Sequence, residues 1–184
     1  MFYKTILKDF IRVPPRTFTG DVETAILQQV RERYSSFTSA DMGIFIDVLK
    51  IVSRKEGILI PGDGAAYYET EFEVLLLRIS LQEVIVGKIR DITDFGAFLT
   101  LGPIEGMIHV SQTMDDYVSF SKEKVLQGKD KGNTLKVNDI CRARVIAVSF
   151  KDLSSPKIGL TMRQSHLGRL DTLKEQKNGK EKSM

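Results

Sequence analysis

The sequence predicts two small domains in series, an α+β domain with one helix on an antiparallel sheet and then an all-β five-stranded barrel. Three observations carry this reading. The first 80 residues run β-α-β-β-β, residues from about 82 to 162 carry strand-like alternation without a sustained helical period, and glycines punctuate the second stretch at hairpin spacing. At 184 residues, 42% of them hydrophobic and 28% charged, the chain is long enough for two real cores.

The elements follow in order. Phe2 to Val13 is rich in β-formers and ends at Pro14-Pro15, which cannot continue a ladder. Thr19 or Asp21 can cap a helix running to about Tyr34, with Val22, Ile26 and Val30 at helical spacing and Ala25 beside them. Ile44 to Val52 is a β-branched strand, and the turn Lys55-Glu56-Gly57 leads into the short strand Ile58-Leu59-Ile60, stopped by Pro61-Gly62-Asp63-Gly64. Tyr68, Thr70, Phe72, Val74 and Leu76 then alternate with Glu69, Glu71 and Glu73, the pattern of a half-buried strand. Leu75 to Val86 is nearly continuous strand-like sequence, which predicts a stiff junction. Its Leu75, Leu76, Leu77, Ile79, Leu81, Val84 and Val86 are more apolar side chains than one strand face hides, so a neighbouring domain or a partner protein is expected to cover part of them. The expected divisions are 1–80, 81–164 and 165–184. The last comprises one or two helical turns over His166 to Leu173 and a basic, disordered tail from Lys174.

Charge is uneven. Residues 1–80 hold 10 Lys/Arg against 11 Asp/Glu and residues 81–184 hold 17 against 13, so a nucleic acid would be met by the second half. Cys141 is the only cysteine, which precludes an intramolecular disulfide and suits a reducing compartment. The sequence shows no apolar run of membrane-crossing length, and Met1-Phe2-Tyr3-Lys4 begins no signal-peptide pattern, so a cytoplasmic location without membrane attachment is expected.

The barrel carries the clearest chemistry. With Gly102 to Glu105 as a hairpin loop, Leu99 faces Ile108, Ala97 faces Val110 and Phe98 faces His109. Alternation then puts Ala97, Leu99, Leu101, Ile108 and Val110 inside and Phe98 and His109 outside, as cross-strand neighbours. Phe95 can extend that surface. Arg142 and Arg144 share one face of the strand Ile140 to Val148, opposite Cys141, Ala143, Val145 and Ala147. Exposed rings could pack on the first domain; edged by cations they instead suit single-strand binding, in which bases stack on rings and cations track phosphates. Five such strands fit the oligonucleotide-binding barrel class.

The run Gly87…Phe95-Gly96-Ala97-Phe98…Gly102…Gly106-Met107-Ile108-His109-Val110-Ser111 resembles the S1 domain, the RNA-binding repeat of a large ribosomal protein. The resemblance implies Phe95, Phe98 and His109 as stacking residues. Lys88, Arg142, Arg144 and Lys157 are the candidate phosphate contacts, with Lys157 near a basic position of the family. Ser149 stands where that family often has an acid, which implies weaker or altered binding. Met114 to Asn138 reads as a polar insertion, partly helical around Lys122 to Leu126.

A second resemblance spans nearly the whole chain. Gly57 to Phe72, Arg12-Val13-Pro14-Pro15 and Leu160-Thr161-Met162-Arg163-Gln164 are similar to the E-prime component of archaeal RNA polymerase, the counterpart of the seventh subunit of eukaryotic RNA polymerase II. This implies a truncated ribonucleoprotein-like first domain whose tip, Pro61, Gly62, Asp63, Gly64 and Ala65, docks on the polymerase core. It further implies a heterodimer with a smaller stalk protein, called F, along the domain junction, and a stalk that holds single-stranded nascent RNA. Read from residues alone, Gly62-Asp63-Gly64 is a tight turn with positive φ; no Gly-Lys-Ser/Thr follows, so it is no phosphate cradle.

Catalytic readings find little support. Two histidines and one cysteine are too few for a typical zinc site, Asp115-Asp116 has no third acid at useful spacing, and no acid can be named to orient His109 toward Ser111. No cofactor and no metal are expected. The competing function is a free-standing S1 adaptor in translation initiation or RNA decay; a purely architectural protein ranks third.

Overall fold

Strand β1 (Phe2–Val13) turns its even-numbered side chains to water and its odd-numbered ones inward. After Pro14 the chain makes one 3-10 turn and enters helix α1 (Val22–Tyr34), which Asp21 caps by accepting a hydrogen bond from the Thr24 backbone N–H at 3.3 Å. Strands β2 (Thr38–Ser39), β3 (Gly43–Arg54), β4 (Ile58–Leu59) and β5 (Ala66–Leu77) follow. They form an antiparallel sheet in the order β1-β5-β3-β2, with β4 at the end of β5. The computed structural model describes residues 1–173 apart from Thr19, Lys122, Lys131, Ser154 and Ser155, so Thr19 as a cap lies outside the described residues. The chain divides into two compact units, Met1–Arg78 and Ile79–Met184.

Strand β5 is the keel of the first unit because its alternation is the most regular. Thr70, Phe72, Val74 and Leu76 are fully buried and join Ala25, Ile26 and Val30 of α1 in one core. Tyr34 closes that core against Phe37, Phe45 and Phe72, and its hydroxyl donates to Asp9 at 2.7 Å. Burial first, then that bond, pushes the phenol up to about 12. Among the described residues no helix covers the opposite sheet face; Phe2, Ile6 and Phe10 stay about half exposed there.

The second unit opens with β6 (Val84–Thr93), β7 (Gly96–Thr100) and β8 (Glu105–His109), then the single turn α2 (Val110–Thr113). Strands β9 (Val118–Ser121), β10 (Val125–Gly128) and β11 (Thr134–Lys136) make a small sheet of their own, and β12 (Ile140–Ser149), β13 (Lys157–Thr161) and β14 (Gly168–Arg169) finish the unit. The barrel closes through β6-β7-β8-β13-β12 and back to β6, with the β8–β13 pair parallel. Five strands are thereby paired on both sides. Ile89, Ile92, Ala97, Leu99, Ile108, Cys141, Ala143, Val145 and Leu160 fill the interior, and burial pushes the Cys141 thiol up to about 12.

Three expectations change here. Helical structure around Lys122 to Leu126 is replaced by β9–β11; Leu126 and Leu135 pair across strands and bury together, which a helical turn could not achieve (Lys122 lies outside the described residues). The run Leu75 to Val86 is not one strand. It breaks between β5 and β6, where Gln82 takes φ 66° and the Ser80 N–H donates to the Glu83 carboxylate at 3.1 Å. Of His166 to Leu173, only residues 170–173 are helical; before them β14 pairs with β12, leaving Gly168 at φ 116°. The tail from Lys174 lies outside the described residues.

Candidate nucleic-acid interface

The β7–β8 hairpin sets the site. Its turn closes with the Leu101 N–H donating to the Ile104 carbonyl at 2.8 Å, so Thr100 faces Glu105 and the loop is Leu101 to Ile104 rather than Gly102 to Glu105. Moving the loop by one residue moves every pair by two. Phe98 therefore lies opposite Met107, and His109 opposite Gly96, not opposite Phe98. A two-residue shift keeps each side chain on its face. Ala97, Leu99, Leu101 and Ile108 are inside as expected, and Phe98 and His109 are outside; Val110 has left the strand and starts α2.

Gly96 is fixed by close approach. A Cβ there would collide with the Ile108 carbonyl oxygen, so only glycine lets β7 begin this near β8. That tight start holds Phe95 just ahead of the strand, 47% exposed, with its ring edge-on to Phe98 at 6.1 Å and 87°. The His-x-Ser spacing has its own reason. His109 caps α2, its Nδ1 accepting from the Ser111 backbone N–H at 3.3 Å and lying 2.8 Å from the Ser111 hydroxyl. A backbone N–H can only donate, so in the neutral ring the proton sits on Nε2, free to donate outward.

Phe98, Met107 and His109 line an open groove of about 940 Å³ that continues over Ile146, Ser149 and Lys157. Ser149 and Lys157, expected at the acidic and basic positions, are brought together there. Lys88, Arg142 and Arg144 do not line it. They project from the β6–β12 pair, where Lys88 faces Ile140, Arg142 faces Val86 and Arg144 faces Val84. Arg142 donates to the His166 carbonyl at 3.5 Å.

The groove also holds residues that sequence reasoning passed over: Arg90, Met107, Gln112 and Ile146. Two of them follow from alternation. Arg90 continues the exposed row of Val84, Val86 and Lys88 up to the register shift between Ile89 and Asp91, and pairs with Glu105. Ile146 continues the row of Arg142 and Arg144, and a register shift between Val145 and Ala147 exposes Ala147 as well, so Ala147 leaves the inward row expected for it. Met107 was legible, since it alternates with the buried Gly106 and Ile108. Gln112 had no signal; its amide oxygen accepts from the Thr161 hydroxyl at 2.7 Å, tying α2 to β13. Beside the site, Lys124 bonds Asp91 at 2.7 Å and holds that carboxyl below its ordinary value.

In the first unit, the loop Pro61 to Ala65 has Gly62 and Gly64 at φ 93° and 70°, as the two glycines led one to expect. The Asp63 carboxylate accepts from Arg12 Nε at 2.9 Å, from Arg12 Nη2 at 2.5 Å and from the Tyr67 hydroxyl at 2.5 Å. These bonds, Arg12 foremost, lower its carboxyl to about 2. Among the described residues no group of three or more His, Cys, Asp or Glu could hold a metal ion, and no helix is long and apolar enough to cross a membrane.

Comparison with known proteins agrees with both units. Residues 8–64 match the SHS2 domain found in the N terminus of Rpb7p/Rpc25p/MJ0397, and residues 79–152 match the S1 RNA binding domain. DNA-directed RNA polymerase subunit Rpo7 of Saccharolobus solfataricus is 33% identical over 178 residues, covering 95% of this chain and 99% of that one. The Rpo7 of Sulfolobus acidocaldarius is 30% identical, covering 96% and 97%. DNA-directed RNA polymerase III subunit RPC8 of Saccharomyces cerevisiae is 29% identical over 114 residues, covering 62% of this chain and 54% of its own. A free-standing S1 adaptor would share the barrel alone, whereas the archaeal similarity runs through both units. The chain belongs to the family of DNA-directed RNA polymerase subunit Rpo7.

Proposed function

We propose that the chain is a non-catalytic stalk component of DNA-directed RNA polymerase that docks through its Pro61 to Ala65 loop, pairs with the smaller stalk protein F and holds nascent single-stranded RNA on its barrel. The observation that carries the RNA reading is the meeting of Phe98, His109 and Lys157 in one groove. Bases stack on Phe95 and Phe98 for roughly 1–3 kcal/mol each. His109 Nε2 donates to a base or phosphate oxygen, and Lys157 neutralises a phosphate. Lys88, Arg142 and Arg144 act from the periphery, drawing the strand in by charge without touching stacked bases. Ser149, with no carboxylate to accept from a base edge, makes binding tolerant of sequence.

The smaller stalk protein is assigned to the apolar surface around Leu81, Val84 and Val86, which are 61%, 45% and 54% exposed. Leu76, Leu77 and Ile79, from the same run, are already buried. A chain that proves monomeric and soluble alone, with no apolar patch there, would remove the need for this partner.

Affinity purification tests the whole reading. The tagged chain should carry the large catalytic subunits and a small partner, and the pair should bind a labelled single strand. Recovery with ribosomes or nucleases instead would overturn it. Docking has its own arm: with Gly62 and Gly64 changed to valine, positive φ is opposed, and the chain should leave the core while keeping RNA and partner.

A further inference from the structure

We infer that Gln112 reads base edges in the groove, its amide N–H groups selecting nucleotides that present a carbonyl oxygen (uracil, guanine) over those that present an amino group (cytosine, adenine); this rests on the RNA reading of the groove above. Gln112 and His109 stand three residues apart across the single turn α2, which brings their side chains to one side of it, and both line the groove. The orientation of the amide is set from behind. Thr161, at the end of β13, is 2% exposed, and its Oγ1 accepts from the Arg163 backbone N–H at 3.2 Å. The Thr161 hydroxyl donates its own proton to Gln112 Oε1 at 2.7 Å. Turned round, the amide would leave that buried proton without an acceptor, which costs more than the bond itself contributes. Gln112 Nε2 is therefore the outward end, and among the described residues no acceptor takes its protons. The main chain is held as well, because the Met162 N–H donates to the Gln112 carbonyl at 2.8 Å. The amide is thus in place before a base arrives, which lowers the entropy lost on binding.

The groove around it is short of acceptors. His109 Nε2 donates in the neutral ring, Lys157 only donates, and the Glu105 carboxylate is paired with Arg90. Ser149 offers a hydroxyl where a carboxylate would accept from an amino group. A base over Gln112 therefore meets donors. O4 of uracil and O6 of guanine accept from them, whereas N4 of cytosine and N6 of adenine are donors themselves and leave Gln112 unpaired. The tolerance of sequence argued from Ser149 holds along the rest of the strand, and the nucleotide over Gln112 is its exception.

The test uses the full chain with oligo(U) and oligo(C) of one length, by fluorescence anisotropy, because the two bases have rings of one size and differ only along the edge that carries O4 or N4. Wild type should bind oligo(U) about three- to tenfold tighter, the worth of one hydrogen bond. Gln112→Leu should bring that ratio to about one. Gln112→Glu keeps an oxygen for Thr161 and replaces the donor by an acceptor, so the ratio should invert in favour of oligo(C), while the added charge weakens both strands alike. The ratio is therefore the readout. Should Gln112→Leu loosen α2, Gln112→Glu still decides, since it retains the Thr161 bond. Equal wild-type affinities, or a ratio that Gln112→Glu leaves unchanged, overturn the inference. Phe98→Ala separates it from the reading on which it rests. If that variant weakens both strands alike, the groove holds RNA even where Gln112 proves silent; if neither strand responds, the RNA reading of the groove falls and this inference falls with it.

Discussion

The two units leave aromatic side chains in water in different company. On the first sheet, Phe2, Ile6 and Phe10 alternate with Lys4, Lys8 and Arg12, and the lysines already lie over glutamates of β5: Lys8 with Glu69 at 2.6 Å, and Lys55 reaching the same Glu69 at 2.7 Å. Those partners, Lys55 first, hold the Glu69 carboxyl below its usual value. On the barrel, Phe98 shares its groove with an imidazole whose Nε2 can donate and with an exposed Lys157, and Phe95 lies edge-on to Phe98. Exposed rings alone therefore do not mark an RNA surface. What distinguishes the groove is a donor and a cation left available to the ligand, whereas cations spent on neighbouring glutamates would repel a phosphate's approach through those same carboxylates.

The largest expected effect separates the two regions outright. Phe72 is fully buried at the centre of the first core. Phe72→Ala should destabilise that unit by about 3–5 kcal/mol, read in denaturant unfolding, while RNA affinity in the groove stays unchanged. A parallel loss of RNA affinity would show that the strand also crosses the first sheet, and the contrast above would fail.

Phe98→Ala sharpens the comparison from the other side. Its ring is on the outside of the barrel, so removing it should cost on the order of 1–3 kcal/mol in RNA affinity, by fluorescence anisotropy, and little in thermal stability. Unfolding of the barrel with residual binding intact would mean the ring is core and the stacking platform does not exist.

What the sequence made legible follows from period and punctuation. Alternation placed β1, β5 and the inner row of β7 and β8 correctly, because a period of two survives a loop misplaced by one residue. The partner of Phe98 did not survive it; pairing depends on where the turn closes, and Gly102-Pro103 allowed two closures of which the Leu101–Ile104 bond selects one. Bulges were invisible for a related reason. Ala147 is exposed only because an extra residue reverses the alternation after Ile146, whereas Arg90 and Ile146 already lie on the outward rows of β6 and β12. The insertion was misjudged because polar composition hid two leucines that bury only once β10 and β11 pair. Arg142 and Arg144 were correctly placed on a common face, yet a face shared along β12 need not be the face shared with β8.

That last distinction gives a smaller effect to measure. Because Arg142 lies outside the groove lining, Arg142→Ala should lower RNA affinity by less than about 1 kcal/mol near physiological salt. It should do so for all sequences alike and flatten the salt dependence slightly, since a peripheral cation acts through the field rather than by contact. A loss matching that of Phe98→Ala would put the RNA path across the β6–β12 face.

The smallest expected effect concerns the tip. Asp63 has its carboxyl depressed, to about 2 from the ordinary 3.8, by Arg12 and then Tyr67. A depressed carboxyl contributes its stabilisation fully above the ordinary value and loses it as pH falls toward the depressed one. The brace that Arg12 and Tyr67 form on Asp63 should therefore stay closed through the whole acid-to-neutral range and open only as pH approaches about 2. On the alkaline side the Tyr67 hydroxyl is raised by Asp63, so it keeps its proton and its bond through mildly basic pH. Docking should accordingly be flat from about pH 4 to about pH 9. Following the Asp63 carboxyl carbon by NMR checks this directly, and Arg12→Ala should move its midpoint back up toward 3.8. A wild-type midpoint already at the ordinary value would mean that the brace is open in solution and the tip carries a free negative charge. The contrast between a tip whose Asp63 is paired and a groove that keeps the Lys157 cation for its ligand would then be lost.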